Sequence, residues 1–348
     1  MKKLILILII FLFPITAYAE YDIEIRDYPE FSEYATDIAS GNNPFTWDNV
    51  LNGLKDSVFG EITRSKGYLL SILTVSMIAG FLKLIDNPAS DAQYFSVYAV
   101  LSAAVIKLLA ESAGYAMEVI DLLADFITKF SPVFLGLLFA AGKMSSAAAF
   151  SPILSGCVYV LTLVVDSFIM PVIYLSAVLG VVGNISGKVQ LGSFNKLLRS
   201  TVKWILTALL TVFVSISGLY GFNSPVIDAL GVKGAKFAIG TMVPVVGGLL
   251  ADTMDTVMGG TYVLKNAVGS AGMIVVIALT ALPIIKVWVV WFLLRLLSAV
   301  SEPISDMRSS IMLRDLSEVL GIVLAVMLTA VMLFLITIGI ILASTGGS

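Results

Sequence analysis

Residues 319–343 form an apolar run without a single charge, and nine further apolar segments precede it, at 68–85, 94–109, 120–141, 148–165, 168–182, 204–220, 237–250, 268–285 and 287–300. A water-soluble fold has no interior large enough to hide so much apolar chain. With 58% hydrophobic and 13% charged residues and a mean hydropathy of +0.99, the sequence lies far from the balance of soluble domains. The expected architecture is all-α, a polytopic helical membrane protein with about seven to eight transmembrane helices. Several runs are shorter than the roughly 20 residues that cross a hydrocarbon core of about 30 Å, so they cannot all cross alone.

The first residues, "MKKLILILIIFLFPITAYAE", combine two lysines, a short apolar run ending at Pro14 and a small-x-small site at Ala17-Tyr18-Ala19. Residues 1–19 therefore read as a cleaved signal peptide, which puts the mature N-terminus outside the cytoplasm. Residues 20–66 follow as a short extracytoplasmic segment with ten acids against four bases, a net of −6. Within it, "TWDNVLNGLKDSVF" from Thr46 has the spacing of a short amphipathic helix at the membrane surface.

Composition also excludes functions. The single cysteine, Cys157, sits in an apolar run, so no intrachain disulfide can form. The chain has no histidine, hence neither the commonest metal ligand nor the commonest general base near neutral pH. A net charge of −3 and a pI near 5.1 leave no basic footprint for nucleic acid. No catalytic, cofactor-binding or metal-ligating set is identified.

Orientation follows from charge. No acid occurs between Asp166 and Asp228, whereas Lys188, Lys196, Arg199 and Lys203 cluster there, so this linker is expected in the cytoplasm. A chain starting outside must then cross an odd number of times before Lys188. The runs from Tyr68, Tyr94, Ala148 and Phe168 give four crossings, so 120–141 is expected as a fifth, carrying the charges from Asp121 to Lys129 into a protein-lined surrounding.

The chain also resembles itself. "VIDLLADFITKF" from Val119 aligns with "VIDALGVKGAKF" from Val226, which pairs Asp121 with Asp228. "PVFLGLL" from Pro132 then matches "PVVGGLL" from Pro244, pairing Gly136 with Gly248, and Pro171 with Pro283 at the same offset. The expected organisation is two first transmembrane helices over 67–111, membrane repeat A over 119–221 and membrane repeat B over 226–343. Short or Gly/Pro-interrupted segments at corresponding places of two repeats point to a transport or binding site. In "GTMVPVVGGLLADTMDTVMGG", Pro244, Gly247 and Gly248 interrupt the run, and Asp252 and Asp255 follow three apart on one helical face. Pro132, Gly136, Asp121, Asp228, Pro244, Gly247, Gly248, Asp252 and Asp255 are thus the candidate conduit or packing residues, with the glycines allowing close helix approach.

The stretches "KFAIGTMVPVVGGLLADTMDTVMGGTYVLKNAVG" and "FSPVFLGLLFAAGKMSSAAAFSPIL", together with the signal peptide, resemble the stage III sporulation protein AE family. The resemblance covers Tyr68 to the C-terminus. It implies a multispanning protein of the mother-cell membrane around the forespore. Its implied partners are the other stage III A proteins, including a secretion-type ATPase, and the forespore Q protein, in a channel-like apparatus. It carries no catalytic residues and no cofactor. The alternative from the residues alone is an autonomous secondary transporter with a substrate site between the repeats. An intramembrane protease fits poorly, because neither Asp252 nor Asp255 lies in a Gly-x-Gly-Asp setting and no G-x-S-x-G occurs.

Overall fold

The computed structural model describes residues 47–84, 90–185, 191–242, 247–303 and 306–344. The expected signal peptide, Lys188, Pro244 and residues 345–348 lie outside them. The described residues form long helices: α1 (Trp47–Leu84), α2 (Ser90–Ala140), α3 (Met144–Val164), a π-helical turn (Val165–Ile169), α4 (Met170–Ile185), α5 (Gly192–Met242), α6 (Gly247–Ser301) and α7 (Met307–Ser344). Six helical stretches are long and apolar enough to cross a membrane: Lys55–Leu82, Gln93–Ala140, Met144–Asn184, Gly192–Gly221, Val263–Ser301 and Met307–Ala343. The protein is an all-helical membrane protein.

Among the described residues there are six, where seven to eight are expected for the chain, because neighbouring apolar runs fuse. The runs at 94–109 and 120–141 are two halves of α2, since the intervening "AESAGYAMEV" has good helix formers and no proline. The runs at 148–165 and 168–182 are joined through the π turn, and those at 268–285 and 287–300 through α6. Three stretches therefore precede the basic linker instead of five. The odd number is kept without a separate crossing at 120–141. Likewise the surface helix expected within 20–66 continues into the first spanning stretch as α1, which runs unbroken through the expected boundary after Lys66.

At about 1.5 Å per residue, the 48 residues of Gln93–Ala140 extend about 72 Å, more than twice a hydrocarbon core. The turn after α2 is sharp. Gly142 has φ 74°, a conformation that suits glycine, and Lys143 N–H donates to Leu138 O at 2.9 Å while Gly142 N–H donates to Phe139 O at 3.0 Å. This closes the helix and returns the chain antiparallel as α3.

The core centres on α7, the most buried of the six stretches, which packs against α6, α5, α2 and α4. Leu313, Leu316, Leu320, Val323, Met327 and Phe334 are fully buried along it. Phe126, Phe130 and Phe134 of α2 stack at 5.2 and 5.1 Å between centroids and meet α6 where it carries glycine. In lipid, where helix association has no hydrophobic drive, such contacts and interhelical hydrogen bonds hold the bundle.

Candidate functional site

Proline creates the local irregularity on which the site is built. Pro171 has no N–H and its ring crowds the preceding turn, and the helix absorbs this as the π turn, where Met170 N–H reaches back five residues to Val165 O. The widened turn presents Asp166 and Ser167 on the outside. Across from them, α2 carries Thr128, Ser131 and the exposed Pro132. Between α2 and α3 lies a groove of about 690 Å³, lined by these residues together with Ser155, Tyr159 and Thr162. Beside it on α2, Lys129 Nζ and Asp125 Oδ2 pair at 2.6 Å, both largely exposed.

The groove contains one residue of the expected set, Pro132, while Asp121, Gly136 and Asp228 stand elsewhere. Asp121 is exposed on α2, about one turn from the groove's edge. Gly136 is exposed too, and a Cβ there would meet nothing within 4 Å, so its expected role in close packing is corrected: no neighbour among the described residues approaches it. Gly247 and Gly248 open α6, and Asp252 and Asp255 lie within it, in a stretch described by its backbone alone. Pro244 lies outside the described residues.

Asp228 holds a different post. It is buried on α5 and accepts hydrogen bonds from Ser145 N–H at 2.7 Å, from Ser146 N–H at 3.0 Å and from the Ser146 hydroxyl. These are the first amides of α3, whose own preceding residue, Lys143, gives no side-chain cap. A carboxylate from another helix thus caps α3 and complements its dipole. Asp121 and Asp228, paired by alignment, sit in opposite environments. Pro171 and Pro283 also differ, since Pro283 lies inside uninterrupted α-helix.

A second polar layer ties the opposite end of the bundle. Tyr94 donates to Asp306 at 2.7 Å, and the same carboxylate accepts Arg308 N–H at 3.1 Å and so caps α7. Tyr98 donates to Val181 O at 2.9 Å. The buried Arg199 of α5 reaches Asp315 O at 3.1 Å, Asp315 Oδ1 at 3.4 Å and Glu318 Oε2 at 3.2 Å. Arg199→Ala is expected to cost about 3 kcal/mol, the low end for breaking a buried pair because Glu318 stays half in solvent. Arg199→Lys recovers only part of this, since an ammonium cannot reproduce the fork. Thermal unfolding of the detergent-solubilised protein measures both.

Three glycines outside the expected set pack closely among the described residues. A Cβ on Gly272 would stand 2.7 Å from Phe130 Cε2, one on Gly321 would stand 2.9 Å from Trp291 Nε1, and one on Gly269 would collide with Leu342. Sequence reasoning missed these, and it missed Asp166 as a site residue. Only Asp166 carried a signal, a proline five residues later.

A long-helix bundle fastened by polar layers at both ends, with a groove carrying Asp166 on one flank, defines a helical membrane protein. The chain belongs to the stage III sporulation protein AE family, which matches residues 29–345. It is 29% identical over 270 residues to the stage III sporulation protein AE of Bacillus subtilis (strain 168), covering 76% of this chain and 68% of that protein. No solved structure matches it significantly.

Proposed function

We propose that this chain is a non-enzymatic, multi-pass subunit of a channel-like, secretion-type apparatus in the mother-cell membrane around the forespore. There it works with the other stage III A proteins, among them a secretion-type ATPase, and with the forespore Q protein. The observation that carries this reading is the family match over nearly the whole chain, on a fold with six membrane-length stretches. The polar residues agree with it: Asp228, Asp306, Tyr94, Tyr98 and Arg199 join helices to one another.

Orientation extends the proposal. In this reading the mature N-terminus is extracytoplasmic and Lys188, Lys196, Arg199 and Lys203 mark the cytoplasmic side; the positive-inside rule and the odd number of membrane-length stretches described before Lys188 support it. The three further stretches described after it support an external C-terminus in the same reading.

Affinity purification from sporulating cells tests the assignment. The expected result is co-recovery of the ATPase and other stage III A proteins in constant ratio. Recovery of this chain alone, with solute uptake by the purified protein in vesicles, overturns it in favour of an autonomous permease. A cysteine at Ser193 that reacts with an impermeant reagent from outside overturns the orientation.

A further inference from the structure

The height within the bundle of the groove between α2 and α3, whose lining mixes Asp166 and hydroxyls with Ile127, Val158 and Leu163, is fixed by its neighbours. Residues of α3 between Ser155 and Ser167 face α2 at 124–132 on one side, while Pro152 to Val164 of the same helix face α5 from Trp204 to Tyr220 on the other. The three segments lie at one level.

At that level α5 reads as a lipid-facing surface. It is the least buried of the six membrane-length stretches, and Trp204, Val212, Ile216, Leu219 and Tyr220 are all exposed on it. No charge occurs from Trp204 to Tyr220, a span of about 24 Å with an aromatic residue of the interfacial kind at each end. Its exposed Thr207, Thr211 and Ser215 hydroxyls are satisfied internally, each donating to the carbonyl four residues back, at 2.9, 2.8 and 2.7 Å. Nothing on this surface requires water.

The opposite flank contradicts lipid at the same level. Asp166 is exposed on the π turn and lines this groove beside Ser167, while the paired Asp125 and Lys129, 62% and 75% exposed, line the neighbouring groove between α2 and α6 with Val275 and Leu279. Charged side chains facing hydrocarbon are costly, and in membrane proteins they face a bundle interior or a water-filled cavity. No element of this chain among the described residues covers them. We infer that the groove between α2 and α3 borders water at membrane depth and forms one wall of an aqueous passage. The inference rests on the channel reading only in calling the wet face a passage; the contrast between the two flanks stands without it.

Thiol accessibility in native membranes of sporulating cells tests this on the full chain. The background is Cys157→Ala, which removes the single, buried cysteine. Ser131→Cys, Ser155→Cys and Ser167→Cys report the groove, and Val212→Cys and Ile216→Cys report the α5 surface. Because the reactive species is the hydrated thiolate, a charged methanethiosulfonate is expected to label the groove positions at least about tenfold faster than the α5 positions. Three reporters keep the test decisive should one variant fail to accumulate. Fast labelling of both flanks means that this level lies outside the bilayer and overturns the inference. Slow labelling of both means that lipid or a partner protein covers the groove, and also overturns it. Either failure leaves the co-purification result untouched, so the two readings fail separately.

Discussion

Gly272→Leu is expected to lower the amount of folded protein in the membrane severely, whereas Gly136→Leu is expected to leave it near the wild-type level. At Gly272 even a methyl group must displace Phe130, whose ring is 2.7 Å from the added carbon and is held in the stack with Phe126 and Phe134. Phe130 is buried, so it cannot swing outward. Overpacking of this kind costs about 1–3 kcal/mol for a small addition, which is the range expected for Gly272→Ala, and leucine exceeds it. At Gly136 a side chain points into open space. Membrane levels and thermal unfolding of the four variants, alanine and leucine at each position, check the contrast. Equal sensitivity at the two positions would show that Gly136 is covered in the folded assembly.

Asp228→Ala is expected to destabilise the α2–α3 hairpin by about 3 kcal/mol. The substitution removes the cap of α3, of order 1–2 kcal/mol, and leaves two helix-terminal amides and the Ser146 hydroxyl without their charged acceptor. Asp228→Asn retains a capping oxygen and should cost about 1 kcal/mol, because asparagine caps nearly as well but lacks the second acceptor. Asp121→Ala, on the exposed face of α2, should be nearly silent in the same assay. The measurements are thermal unfolding and the rate of proteolysis near the Gly142 turn. An Asp228→Ala protein as resistant as wild type would mean that the cap contributes little to holding the hairpin against α5.

Much of the fold was legible before any coordinates. The long uncharged runs require helices in lipid, since every backbone group must be satisfied within its own segment there. What misled the count of helices was treating charge as a boundary. Residues 110–119 and 60–66 carry charge but no helix-breaking signal, so the helices run through them. Propensity decides where a helix stops; hydropathy decides only what surrounds it.

The candidate site was less legible. Pro132 stands in the groove as a residue marked by a helix interruption should, yet α2 passes through it unbroken. The alignment that paired Asp121 with Asp228 detected similar letters in dissimilar places. One carboxylate lies on an open helix face and the other is buried against the start of α3.

The sequence by itself determined the class of protein and where its apolar helical runs lie, because these depend on composition and on neighbours within a few residues. Only the tertiary structure decided which glycines touch another helix, which aspartate caps a foreign amide and which flank turns charge outward. Each of these is a contact between residues from different helices, such as Gly272 with Phe130 or Asp228 with Ser146, 142 and 82 positions apart. Whether such residues meet depends on the rotation and register of packed helices, which no local pattern encodes.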